Sequence, residues 1–142
     1  KMVQFNKEVI CTIVRQELQQ FPLFNPEHSV DAALFLPPHS DGYWVGYESL
    51  PITTDLYHKI TCFDLNIMGN CCTLDFIAVD SEHQGKGYGR QLYGIIERIA
   101  KSLGCTSVRM IPFGSMKGKT RREYMHELGY KDIEGLWVEN FF

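Results

Sequence analysis

Leu74-Asp75-Phe76-Ile77-Ala78-Val79-Asp80-Ser81-Glu82-His83-Gln84-Gly85-Lys86-Gly87-Tyr88-Gly89-Arg90 decides how this chain is read. An apolar run suited to a strand ends at Val79 and a polar connection follows. Gly85, Gly87 and Gly89 then open a stretch in which Leu92, Ile95, Ile96, Ile99 and Leu103 recur at helical spacing. The first N–H groups of a helix lack intrahelical acceptors and carry partial positive charge, so they bind anions such as a pyrophosphate. Glycine lets phosphate approach the backbone and permits positive φ. Lys86 and Arg90 add positive charge nearby. Along the strand, simple alternation puts Thr73, Asp75, Ile77 and Val79 on one face and Leu74, Phe76 and Ala78 on the other.

Two other phosphate loops fail on spacing. A dinucleotide fingerprint needs GxGxxG, whereas this turn reads GxGxG. Gly114-Ser115-Met116-Lys117-Gly118-Lys119-Thr120 holds three residues between its glycines where a Walker loop holds four. Too little chain follows Thr120 to build the parallel sheet of an NTPase.

Outward from the turn, Asn6 can cap a first helix to about Phe21, with Ile10, Ile13, Val14, Leu18 and Phe21 on its apolar face. The prolines at 22 and 26 end it. Ala32–Leu36 and Tyr43–Ser49 read as strands. Tyr57–Ile67 and Cys71–Val79 form a hairpin about Gly69-Asn70. The helix after the turn runs from about Gly87 to Leu103, with Gly104 as its C-terminal cap. Ser107–Ile111 is a strand, Thr120–Leu128 a helix and Lys131–Asn140 a last strand. That order predicts a mixed α/β domain with a mainly antiparallel sheet.

The bulk composition narrows the partners. With 142 residues, the chain is expected to form a single domain over 1–142. Hydrophobic residues are 44%, charged residues 22% and the net charge is -3, an ordinary globular balance. No block of Lys and Arg could follow a phosphate backbone, which argues against nucleic acid. No apolar run approaches the roughly 20 residues of a membrane span, and Lys1 to Asn6 lack the apolar stretch of a signal peptide. The five cysteines are odd in number and irregularly spaced, as expected of reduced thiols in the cytoplasm. Without CxxC or HExxH, no metal site is expected.

Gln84-Gly85-Lys86-Gly87-Tyr88-Gly89 resembles the Q/R-x-x-G-x-G/A signature of the GNAT superfamily of N-acetyltransferases. Glu123-Tyr124-Met125-His126-Glu127-Leu128-Gly129-Tyr130 is similar to its later helix motif, often F-Y-E-K-L-G-F. The likeness spans about Leu74 to Tyr130. It implies an α/β (α+β) fold: a mixed, mainly antiparallel twisted sheet flanked by helices, with a splayed strand pair holding acetyl-CoA. It implies acetyl-CoA as cosubstrate, bound by Ile77, Ala78, Val79, Gln84, Gly85, Lys86, Gly87, Tyr88, Gly89 and Arg90. Backbone groups matching Ile77 and Val79 would bind the pantetheine, and an N–H near Val79 would stabilise the developing oxyanion.

An amine of ordinary pKa, ~10, must lose a proton before it attacks. Some small-amine members carry a carboxylate at the position of Asp75, the first candidate base; Glu48 on the aromatic strand is a second. Histone-type members have a glutamate where this chain has Thr73, so their base does not transfer. Many members have a tyrosine acid where this chain has Met125. Its neighbour Tyr124 is the candidate here, turned about 100° around the helix. The segment Phe21 to His28 matches the region where members build the acceptor rim. The expected activity is acetyl transfer to a primary amine of a small molecule. A protein or peptide acetyltransferase and a non-catalytic acyl-CoA-binding module are the alternatives. Family members often dimerise, which makes a homodimer an expectation as well.

Overall fold

The computed structural model describes residues 6–36, 41–49, 60–110, 121–133 and 136–141, with backbone alone at 121–122, 132–133 and 136–137. Helix α1 is Lys7–Leu18. It starts as expected, with Asn6 Oδ1 accepting the Val9 N–H at 2.9 Å. Strands β1 (Ser29–Leu34), β2 (Tyr43–Glu48), β3 (Cys62–Met68) and β4 (Cys71–Ala78) follow. Helix α2 is Tyr88–Ser102, β5 Ser107–Met110 and α3 Arg121–Glu127. The last run, expected as one strand, is two: β6 (Lys131–Ile133) and β7 (Leu136–Asn140). Ile133 pairs with Leu136, so only two residues connect them. β1 begins earlier than the apolar pattern suggested, because Ser29 already pairs with Glu48. The Walker-like stretch 114–120 lies outside the described residues.

The described strands form one seven-stranded sheet in the order β1-β2-β3-β4-β5-β7-β6. β4 and β5 run parallel, joined across α2, and every other pair is antiparallel. The mixed, mainly antiparallel sheet expected from the sequence is therefore present. Gly69 (φ 59°) makes the β3–β4 turn possible.

The core occupies one side of this sheet. Val45, Tyr47, Phe63, Leu65, Ile67, Cys72, Leu74, Val108 and Met110 join one buried cluster with Ile10, Val14 and Leu18 of α1 and Leu92, Ile95, Ile96 and Ile99 of α2. We call this the helix face. The strand residues between them point the other way: Trp44, Glu48, Asp64, Asn66, Thr73 and Arg109. None of those belongs to the cluster. This polar side is the open face.

One irregularity changes which residues share a face. Leu65 pairs with Leu74, but Asp64 pairs with Phe76 and Phe63 with Ile77. Asp75 is thus the extra residue of a β-bulge. Ile77 therefore lies opposite Phe63, on the helix face with Leu74, and packs against the core. Phe76 moves to the side of Asp64. The alternation read from the sequence, with Asp75, Ile77 and Val79 on one face, stops at the bulge.

β4 also continues past the described part of its parallel partner. Among the described residues the last β4–β5 pair is Leu74 with Met110, while β4 continues to Ala78. Up to that pair, buried and half-buried residues alternate; from Asp75 to Ala78 all are half-buried. No described helix is long and apolar enough to cross a membrane.

Candidate active site

The glycine turn has the geometry of an anion cradle. Gly85 (φ 76°) and Gly87 (φ 86°) both occupy the left-handed region, where a side chain costs roughly 1–2 kcal/mol. A Cβ on either would meet no atom within 4 Å, so backbone conformation rather than crowding demands glycine. Gly87 is the N-cap of α2, with no side chain capping the helix and no acid in its first turn. The first N–H groups of α2 are thus left for an external acceptor. Gln84 fastens the turn to the strand, its Nε2 donating to the Val79 carbonyl at 2.9 Å. Lys86 and Arg90 are exposed on this side.

Arg90 lies 3.5 Å from Glu127 of α3, and its guanidinium sits 5.5 Å from the Tyr124 ring centroid. Tyr124 packs on Tyr93 of α2, with centroids 5.9 Å apart. α3 is thereby joined to the first turns of α2. Met125, where the family resemblance expects a tyrosine, is fully buried in the core. Tyr124 is the phenol that α3 brings next to Arg90.

Below the turn, a polar network locks the end of β4. Thr61 Oγ1 donates to Asp80 Oδ2 at 2.8 Å and accepts the Asp80 N–H at 3.1 Å. The Thr61 N–H is held by Ser49 Oγ at 2.8 Å. His83 Nδ1 lies 2.6 Å from Asp80 Oδ1. Burial pushes the Asp80 carboxyl up, but the hydrogen bonds from His83 and Thr61 outweigh it and leave it below its ordinary value. These residues line a cavity of about 410 Å³ with Leu23, His28, Ser81 and Glu82. His28 Nδ1 lies 2.8 Å from the Tyr47 hydroxyl and accepts the Asn25 N–H at 3.2 Å, and burial lowers its pKa. The segment Phe21–His28 thus sits beside the turn, with Phe21 edge-on to Tyr88 at 6.3 Å. Potential ligand atoms of Asp80, Glu82 and His83 come within 4.8 Å of one another. Both Asp80 oxygens are already engaged by Thr61 and His83.

The open face gathers the two carboxylates singled out from the sequence. Glu48 closes β2 and lies opposite Cys62; Asp75 is the bulge residue of β4. Between them sits Asp64 of β3, which sequence reasoning missed. Its signal was an acid at an alternating position of a strand, a pattern that ordinarily marks a solvated face. The Asn66 amide donates to Asp75 Oδ2. Burial, then the Asp64 charge, raises the Asp75 carboxyl above its ordinary value. Burial raises Asp64 too, against the pull of the Trp44 hydrogen bond. Cys62, buried between these acids, has its thiol pushed up to about 12, first by burial and then by Asp64 and Glu48.

Against known proteins, the chain matches the model of the acetyltransferase (GNAT) family over residues 11–130. No curated protein matches it. Among solved structures, an acetyltransferase from Bacillus cereus ATCC 14579 is 16% identical, covering 99% of this chain and 97% of its own, with a TM-score of 0.48. A protein assigned to the GNAT family from Desulfovibrio desulfuricans is 15% identical, covering 93% and 92%, also at 0.48. The PaiA N-acetyltransferase of Thermoplasma acidophilum, in complex with coenzyme A, is 18% identical, covering 68% of this chain and 59% of its own, at 0.46. At such identities and scores the assignment rests on the family model, which spans most of the sequence. The chain belongs to the acetyltransferase (GNAT) family, and its enzyme class is N-acetyltransferase.

Proposed function

We propose that this protein transfers the acetyl group of acetyl-CoA to a primary amine of a small molecule by direct attack, with Asp75 accepting the proton. The position of Asp75 carries this reading. It stands at the bulge immediately beyond the last β4–β5 pair among the described residues, on the polar face. A strand edge with no pairing neighbour among the described residues can present backbone groups to an extended ligand, and Ile77, Ala78 and Val79 continue that edge towards the turn. The uncapped N-terminus of α2 and the open space over Gly85 and Gly87 suit a pyrophosphate.

In the reaction, an ammonium first gives a proton to Asp75. The neutral amine attacks the thioester carbonyl, a C–N bond forms and the C–S bond breaks; CoA leaves as the thiolate, and the second N–H proton passes to solvent as the amide forms. Burial and the Asp64 charge make Asp75 more basic than a solvated carboxylate, which favours that proton transfer. Tyr124 is the proposed donor to the leaving thiolate, being the phenol beside Arg90 where Met125 is a core residue.

The test is CoA-thiol release over a panel of small amines and short peptides, with Asp75→Asn beside the wild type. Losing one general base lowers turnover by about 10² to 10⁴, so the variant should be nearly silent while acetyl-CoA still raises its Tm. Unchanged turnover in Asp75→Asn would remove the base assignment. Absence of any acetyl-CoA stabilisation of the wild type would remove the whole reading.

A further inference from the structure

On β2, Gly46 lies opposite Asp64. A Cβ on Gly46 would come within 2.2 Å and 2.6 Å of two Trp44 ring carbons, so the indole lies across the glycine backbone. From there Trp44 Nε1–H donates to Asp64 Oδ1 at 3.1 Å. Trp44 itself pairs with Asn66, the residue that holds Asp75. Two adjacent positions of the β2–β3 ladder therefore aim two carboxylates on one face.

Each carboxylate accepts one neutral hydrogen bond, from Trp44 or from Asn66, and no charge among the described residues balances either. Among the described residues, no basic side chain shifts either of them. Arg109 shares the face but lies across β4, opposite Thr73, and acts on neither. Asp64 Oδ2 has no hydrogen-bond partner among the described residues. Half-buried, uncompensated charges of one sign on neighbouring strands are costly, and a cationic ligand relieves that cost. A monoamine offers one positive charge, which it must lose to Asp75 before it can react. Asp64 then still has no cation.

We infer that Asp64, aimed by Trp44 across Gly46, is the specificity-determining residue for a second cationic group, and that the acceptor is a small diamine. One nitrogen is deprotonated at Asp75 and attacks; the other stays an ammonium beside Asp64 and the Trp44 indole. This rests on the proposed reading of the open face as the acceptor site.

The experiment compares kcat/KM for n-alkylamines and the α,ω-diamines of equal length, about three to eight carbons, with acetyl-CoA in excess. The wild type should favour diamines by about tenfold or more at its preferred length. Asp64→Asn, nearly isosteric, should lower diamine kcat/KM about tenfold more than monoamine kcat/KM. Trp44→Phe, which keeps a ring but loses the N–H, should reduce the preference in the same direction. High salt should weaken the wild-type preference and leave Asp64→Asn little changed. Turnover of both series without a diamine preference, or equal losses in Asp64→Asn, overturns the Asp64 assignment alone. No turnover of either series overturns the acetyl-transfer reading with it.

Discussion

At the residue scale Asp75 is the proposed base, and its environment gives that proposal a measurable pH dependence. Only the carboxylate form accepts a proton, so kcat should fall as pH drops through the Asp75 pKa. Burial and Asp64 raise that pKa, so this acid limb should lie above the ordinary carboxylate value of 3.8. Asp64→Asn removes the repelling charge and should move the limb to lower pH; a limb that stays in place would disconnect the two acids. Tyr124→Phe should lower kcat while the KM for acetyl-CoA changes little, since the ring contacts to Tyr93 and Arg90 survive. Asp75 and Glu48 were legible as acids on strands. Asp64 was not, because its value comes from Gly46, Trp44 and Asn66, which reach it through a register that a linear sequence does not display.

At the element scale the turn and the helix it opens make separate demands on their glycines. Gly87→Ala puts a side chain at φ 86° and should cost roughly 1–2 kcal/mol, read as a lower Tm without ligand. Gly89 is different. A Cβ there would sit 3.8 Å from Val79 Cγ2, an ordinary contact, at a helical position. Gly89→Ala should therefore leave the Tm equal or higher, by up to about 1 kcal/mol of helix propensity, while raising the KM for acetyl-CoA. A lowered Tm would show that Gly89 serves the fold rather than the ligand. This turn was readable because glycine spacing and helical periodicity are local properties. The division of 131–140 into β6 and β7 was not, since a single glycine, Gly135, punctuates an otherwise strand-like run.

At the scale of the whole molecule, the described core cluster lies on one side of the sheet, and a half-buried acid pair joins α2 to β7. Glu97 of α2 interacts with Glu139 of β7. Burial first, then Glu139, lifts Glu97 to about 8, with Lys101 and Arg98 pulling the other way. The folded state thus keeps a proton that the unfolded chain releases near 4.5. Stability should fall as pH rises from about 4.5 to about 8, the sign required when the native state binds more protons. Glu97→Gln should flatten Tm against pH across that window; an unchanged slope would place the titration elsewhere. The order of elements was legible in the sequence, and with it the mixed sheet. The bulge was hidden because Phe76 and Ile77 are both apolar, so exchanging their sides leaves the hydrophobic pattern intact.

That bulge also acts as a parity switch. An inserted residue in a two-sided strand reassigns every later position to the opposite side. Removing Asp75 would do more than delete a carboxylate. It would let Phe76 follow Leu74 directly, so that the pairs Leu65–Leu74, Asp64–Phe76 and Phe63–Ile77 form an unbroken ladder with each side chain on its present face, and the local bend at the bulge is lost. An alanine at 75 keeps the bulge and the deletion removes it. Both the Asp75→Ala protein and the deletion should thus fold, but only the deletion straightens β4, which should weaken the rise in Tm that acetyl-CoA gives.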